Sequence, residues 1–150
     1  MRVLIQRVKE ASVTVEDEVI SSIGKGLLVF LGIASTDDFS DIDYVVNKTL
    51  ALRIFSDKEG KMNLDVKEIG GEILLISQFT LLASTKKGNR PSFIEAAPPN
   101  IALPLYQQVI SQFEKLLVAS IKTGKFGADM QVDLVNDGPV TVWIDSKNKT

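Results

Sequence analysis

Neither histidine nor cysteine occurs among the 150 residues, and these two absences remove most familiar catalytic machinery. Ser-His-Asp and Cys-His arrangements cannot be assembled. Zinc sites of the usual kind go with them, because their ligands are His and Cys. No disulfide framework exists, and nothing points to an oxidising compartment. Long apolar runs are also missing: no stretch approaches the roughly 18 residues of a membrane span. The opening MRVLIQRVKEASVTV is broken by Gln6 and Arg7 and lacks a small-residue cleavage site, so it does not read as a signal peptide. The expectation is a cytoplasmic protein with no membrane partner.

Excess charge of either sign is lacking as well. Net charge is −2 and the sequence pI about 5.2, which argues against a protein that coats nucleic acid and neutralises many phosphates. A local basic patch remains compatible, at Lys86, Lys87 and Arg90 or at Lys122 and Lys125, although each group also fits a solvated loop. The carboxylate groups Asp37/Asp38, Asp41/Asp43 and Glu16/Asp17/Glu18 fall at polar loop or helix-start positions. They are expected as caps or a solvated face rather than as an oxygen-only metal site. Catalysis, if any, must therefore come from hydroxyls, amides, lysine, carboxylates, backbone N–H groups or the substrate itself. A binding module without chemistry fits the same inventory.

What is present reads as one α+β domain over residues 1–150, by length and by the lack of repeats or linkers. Arg2–Val15 carries β-branched residues with period-two stretches and predicts two strands or one bent strand. Gly24 and Gly26 flank a turn into Leu27–Ile33, an apolar run typical of a fully buried strand. Thr36-Asp37-Asp38 supplies N-cap residues for a helix to about Arg53, with Ile42, Val45, Val46 and Leu50 on one face. A loop over Ser56–Gly71 precedes a second buried strand, Glu72–Ser77. Ala83–Asn100 reads as irregular. A second amphipathic helix is expected from near Asn100 or Pro104 to about Ser120, its stripe formed by Leu105, Val109, Phe113, Leu116 and Leu117. Strands Gly127–Val135 and Val140–Ile144 follow, joined by a turn at Asn136–Pro139. Two helices would then cover one face of a strand-rich sheet.

Two segments depart from ordinary patterning. Ser77-Gln78-Phe79-Thr80-Leu81 sets a hydroxyl, an amide, an aromatic ring and a second hydroxyl at the end of a buried strand. Backbone N–H groups are released from the ladder there and can face a developing oxyanion. The same residues also fit a strand that simply ends, with polar side chains satisfying local backbone. Asn136-Asp137-Gly138-Pro139-Val140-Thr141 is the second segment. Gly-Pro marks a turn, yet it also offers bare carbonyls and is the common setting for a cis peptide.

Together, SQFTL and NDGPVT resemble the D-aminoacyl-tRNA deacylase family. The opening MRVLIQRV, KGNRPSF (Lys87–Phe93) and KFGADM (Lys125–Met130) resemble that family in the same order, and the likeness covers essentially the whole chain. The resemblance implies a homodimer of barrel-like β/α subunits with active sites at the subunit interface and no cofactor or metal. Ser77, Gln78, Phe79 and Thr80 of one subunit would line the pocket for the aminoacyl ester of the tRNA 3′-terminal adenosine. Gly138 and Pro139 of the other would reach across, their peptide bond cis, and reject L-amino acids by clash. D-amino acids of any size would be accepted, and so would glycine mischarged on tRNA-Ala. Arg7 would hold the Gly-Pro unit or lie on a strand surface; Phe126 and Met130 would hold adenine or belong to the core. For hydrolysis, a Thr80 nucleophile competes with assistance from the ribose 2′-OH. A hydrolase for L-aminoacyl or glycyl esters on the same scaffold, and a dimeric RNA-end-binding module, are the other readings.

Overall fold

A computed structural model describes residues 1–119 and 121–149. Eight strands and two α-helices follow in the order β1 (Arg2–Val15), β2 (Glu18–Ile23), β3 (Gly26–Gly32), α1 (Phe39–Ala51), β4 (Phe55–Ser56), β5 (Met62–Leu64), β6 (Glu72–Ser77), α2 (Pro99–Leu116), β7 (Ile121–Thr123) and β8 (Gln131–Asp145). Among the described residues a single 3-10 turn, Phe79–Leu82, follows β6 after Gln78.

Strand β1 organises the sheet. On one edge its first half pairs antiparallel with β3 and its second half with β2, while β8 runs antiparallel along its other edge. Beyond β3 come β6 and β7, both added in parallel. The path β2-β1-β3-β6-β7 curls until its ends meet, where the Ser21 hydroxyl donates to the Thr123 carbonyl at 2.6 Å. The result is a nearly closed, barrel-like sheet.

The central strands are buried on both faces, which explains their unbroken apolar runs. Leu27, Val29 and Leu31 of β3, with Ile73 and Leu75 of β6, face α1 and α2. Leu28, Leu74 and Ile76 alternate with them and fill the barrel interior with Val8 and Val13 of β1. Helix α1 begins at a reciprocal cap: the Asp38 carboxylate accepts from Ser40 N–H at 2.8 Å, and Asp41 accepts from Asp38 N–H at 2.9 Å.

Several expectations need correction. Helix α1 ends at Ala51, two residues short of Arg53. Helix α2 runs Pro99–Leu116; the expected end at Ser120 lies outside the described residues. Tyr106 belongs to the buried stripe of α2 while Leu116 is exposed, because the helix ends there and Leu117 alone turns inward. The Ser56–Gly71 loop contains the small antiparallel pair β4–β5. Strand β2, largely exposed, and the three-residue β7 carry no clear alternation and were not expected. Residues 136–139 are not a turn between two strands: β8 continues through them.

The carboxylates Asp37 and Asp41 are neither solvated nor simple caps. Asp37 accepts from the Met1 ammonium at 2.6 Å in a fully buried pair. The Ser146 hydroxyl accepts from the same ammonium at 2.8 Å and donates to Asp41 at 2.6 Å, and Lys147 Nζ donates to Asp41 at 2.7 Å. Burial opposes ionisation of Asp41, but Lys147, Ser146, the Asp38 N–H and the Met1 ammonium outweigh it and hold the carboxyl down at about 2. The network ties both ends of the described chain to the start of α1.

Candidate active site

Strands β3 and β6 are parallel and end side by side, Leu31 opposite Ser77. Open sheets of parallel strands characteristically leave a crevice beyond their carboxyl ends. Here a cavity of about 610 Å³ opens at that place, bounded by Leu31, Ile33, Ile76, Ser77, Gln78 and Phe79 on the strand side. Phe93, Ala97 and Ala102 close a second wall, and Phe126 to Met130, from the segment between β7 and β8, close the third.

The backbone changes character within three residues. Gln78 N–H still extends the ladder, donating to Leu31 O at 2.7 Å, and the chain then winds into the 3-10 turn. Leu81 N–H returns to Gln78 O at 3.2 Å and Ala83 N–H to Thr80 O at 3.0 Å. Among the described residues, the N–H groups of Phe79 and Thr80 meet no acceptor. Gly32 makes the tight turn possible: a β-carbon there would lie 3.0 Å from Gln78 O and 2.5 Å from Leu82 Cδ2.

Side chains around this turn are half open. Phe79, 57% exposed, meets Phe93 edge to face with ring centroids 5.1 Å apart. The Gln78 side-chain amide donates to the Thr80 hydroxyl. Thr80 is exposed and does not line the cavity, and an amide partner cannot take its proton.

Phe126 and Met130 are drawn to the cavity from opposite directions. Phe126 packs against Tyr106 at a centroid distance of 5.6 Å, and the Tyr106 hydroxyl donates to Leu75 O at 3.0 Å. Burial pushes that hydroxyl up to about 12, so it stays a donor. Met130 lies over Gly124, where a β-carbon would meet its sulfur at 2.6 Å. Each ring or thioether thus touches the core on one side and lines the cavity on the other. A shallower hollow of about 460 Å³ shares the Phe126–Asp129 wall. Among the described residues, no three acidic side chains come together as a metal site.

Arg7, Gly138 and Pro139 form a separate device. Along β1 the β8 register steps from Gln6↔Thr141 to Val8↔Asn136, so Asp137 to Val140 bulge out opposite Arg7. Asn136 closes the neck of the bulge, its amide donating to Arg7 O at 3.0 Å and to Val140 O at 3.1 Å. Arg7 is 8% exposed rather than a surface residue. Its Nε donates to Asp137 O at 2.9 Å and its Nη1 to Ile54 O. Gly138 has φ +134°, the Gly138–Pro139 bond is cis, and both residues are exposed at the tip. None of the three lines the cavity of its own chain.

Sequence reasoning overlooked the part Asn136 plays in closing the bulge, and gave no part to Phe93. Asn two residues before Gly138 was a usable cue, since its amide can bridge the ends of a short excursion.

The family profile described as D-Tyr-tRNA(Tyr) deacylase matches residues 4–145. A D-aminoacyl-tRNA deacylase of Cytophaga hutchinsonii is 60% identical over 149 residues, and one of Flavobacterium psychrophilum 56%, each alignment covering 99% of both chains. Among solved structures, one described as c-Myc DNA Unwinding Element Binding Protein superposes with a TM-score of 0.92 at 44% identity, covering 97% of this chain and 98% of that one. A probable eukaryotic D-amino acid tRNA deacylase shares the fold with a TM-score of 0.80 at 17% identity, over 95% and 97% of the two chains.

Proposed function

The chain belongs to the D-Tyr-tRNA(Tyr) deacylase family and is a hydrolase of the aminoacyl-tRNA ester, and from that premise we propose how its geometry serves the reaction. The terminal adenosine of a D-aminoacyl-tRNA enters the cavity, its base held between Phe126 and Met130 by stacking and soft apolar contact. The ester carbonyl then lies at the 3-10 turn, where the Phe79 and Thr80 N–H groups receive the charge that develops on its oxygen. Water attacks the carbonyl carbon, the bond to the ribose oxygen breaks, and that oxygen leaves with a proton. The adjacent ribose 2′-OH assists by orienting water. Ser77 and Gln78 shape the polar rim.

The observation that carries this reading is the pair of N–H groups, unpartnered among the described residues, of Phe79 on the cavity wall and of Thr80 next to it. It favours positioning and substrate assistance over a Thr80 nucleophile, whose hydroxyl has no base beside it.

Chirality is read by the partner of a homodimer. The Gly138–Pro139 bulge of one protomer enters the cavity of the other, and its carbonyls face the Cα of the amino acid. An L-side chain would strike main chain, whereas a D-side chain points to open space and glycine has nothing to strike. Glycine mischarged on tRNA-Ala is thus a second substrate. Dimerisation is supported by β8, which among the described residues pairs only with β1 and presents Val135 and Trp143, 44% and 47% exposed, beside an open edge. The enzyme proofreads in the cytoplasm; no described helix is long and apolar enough to cross a membrane.

Parallel incubation with D- and L-tyrosyl-tRNA tests the reading. Release of D-tyrosine alone supports it. Equal release from both overturns the filter, and binding of tRNA ends without any release makes the protein an RNA-end-binding module.

A further inference from the structure

Between Glu72 and Glu95 the chain carries no acidic side chain, and its only charges are Lys86, Lys87 and Arg90. This segment is therefore a strongly positive island in a protein of net charge −2. Ser84 and Ser92 exchange both backbone hydrogen bonds, at 2.8 and 2.9 Å, and close the intervening residues into a hairpin. Gly88 turns its tip with φ +66°, and nothing lies within 4 Å of where its β-carbon would be. All three cations are exposed, and none pairs with a carboxylate among the described residues.

The position of the hairpin gives the charges a direction. The residue after the Ser92 tie is Phe93, which forms a cavity wall and meets Phe79. Arg90 is three residues from that wall and Lys86 two from the tie. At 3.3–3.6 Å per residue, Arg90 starts within roughly 10 Å of the cavity wall at Phe93, and Lys86 and Lys87 within roughly 7–11 Å of the Ser84–Ser92 tie beside it. A strand of RNA whose last nucleoside fills the cavity must pass its next phosphates over the cavity rim.

We propose that the Ser84–Ser92 hairpin grips the sugar-phosphate backbone of the tRNA acceptor end, with Lys86, Lys87 and Arg90 each neutralising a phosphate just before the terminal nucleoside. The proposal rests on the reading of the cavity as the aminoacyl-adenosine site. Phosphate is favoured over an acidic protein segment because the cations are continuous with a cavity sized for a nucleoside. Arg90 adds a planar fork suited to phosphate oxygens. The grip lets a protein of net charge −2 hold RNA through one local cluster of cations.

The test compares the full-length protein with a Lys86→Ala/Lys87→Ala/Arg90→Ala variant on two esters, D-tyrosyl-tRNA and D-tyrosyl-adenosine, which has no phosphate. On the tRNA ester the variant is expected to raise KM about tenfold with kcat within about twofold, and to lower the slope of log kcat/KM against log salt by about 2–3 between 50 and 200 mM, since each phosphate contact carries ~0.7–0.9. On the adenosine ester the kinetics stay as in the unmodified protein. Lys86→Arg/Lys87→Arg keeps both the KM and the slope. An unchanged salt slope overturns the grip, and so does an equal loss on both esters. A native protein that cleaves neither ester overturns the cavity reading and the grip with it.

Discussion

At Gly138 a β-carbon would lie 2.8 Å from both Arg7 Nη2 and Val140 Cγ2, on a backbone with φ +134° that L-residues avoid. Gly138→Ala is therefore expected to cost about 1–3 kcal/mol, lowering Tm by roughly 2–12 °C. Deacylation should fall further than the loss of folded protein explains, which calorimetry and single-turnover assays on the same sample will separate. Thr80 makes the opposite case. Its hydroxyl only receives a bond from Gln78, so Thr80→Ala should keep single-turnover deacylation within about threefold, a loss near 1 kcal/mol at most. Abolished turnover with tRNA binding intact would instead make Thr80 the nucleophile. The SQFTL block could be singled out in the sequence because polar residues directly after an apolar strand are conspicuous. That Thr80 is exposed and lies outside the cavity lining could not, since a 3-10 turn needs no special residue that would mark it in the sequence.

Helix α1 depends on a carboxylate that looks ordinary in the sequence. Asp41 titrates at about 2 against an ordinary 3.8, so its ionised form favours the folded chain. That contribution is complete above pH 3.8 and disappears as pH falls towards 2. Its side chain is 4% exposed, so the shift corresponds to about 2 kcal/mol. Asp41→Asn should destabilise the protein by this amount at neutral pH and match the unmodified chain near pH 2. Urea titrations across pH 2–7 will show whether the two curves converge. Periodicity located both helices and the two buried strands, because an apolar run buried on both faces leaves a strong pattern. It failed at β2 and β7, where exposure or shortness removes alternation, and at residues 136–139, where Asn136 carries the strand through what reads as a turn.

For the assembled molecule the decisive question is whether one protomer completes the other. Mixing a protomer altered at Gly138 with one altered at Phe79 (Phe79→Ala) leaves, in each heterodimer, one site with both native halves. Random reassortment should restore about a quarter of native activity, as expected for an isologous pair, and native mass measurement will report the heterodimer fraction. No recovery would mean that the bulge and the cavity do not meet across subunits. The α+β class and its two covering helices were legible from strand and helix patterns. Barrel closure was not, because it rests on long-range contacts of β2 with β6 and β7, such as the Ser21 hydroxyl on the Thr123 carbonyl and Gly24 N–H on the Glu72 carboxylate, which leave no local pattern.

Strand β1 has a further consequence. It is hydrogen-bonded along both edges, to β3 and β2 on one side and to β8 on the other. Such a strand is expected to be among the slowest to exchange its amide hydrogens. Arg7 grows from its middle and clamps the Gly138 bulge. The bulge therefore borrows the lifetime of the slowest-exchanging strand: although exposed at its tip, it does not fray as a loop does. Loss of the Arg7 side chain, as in Arg7→Ala, is therefore expected to loosen the bulge far more than it loosens β1, which amide exchange will show.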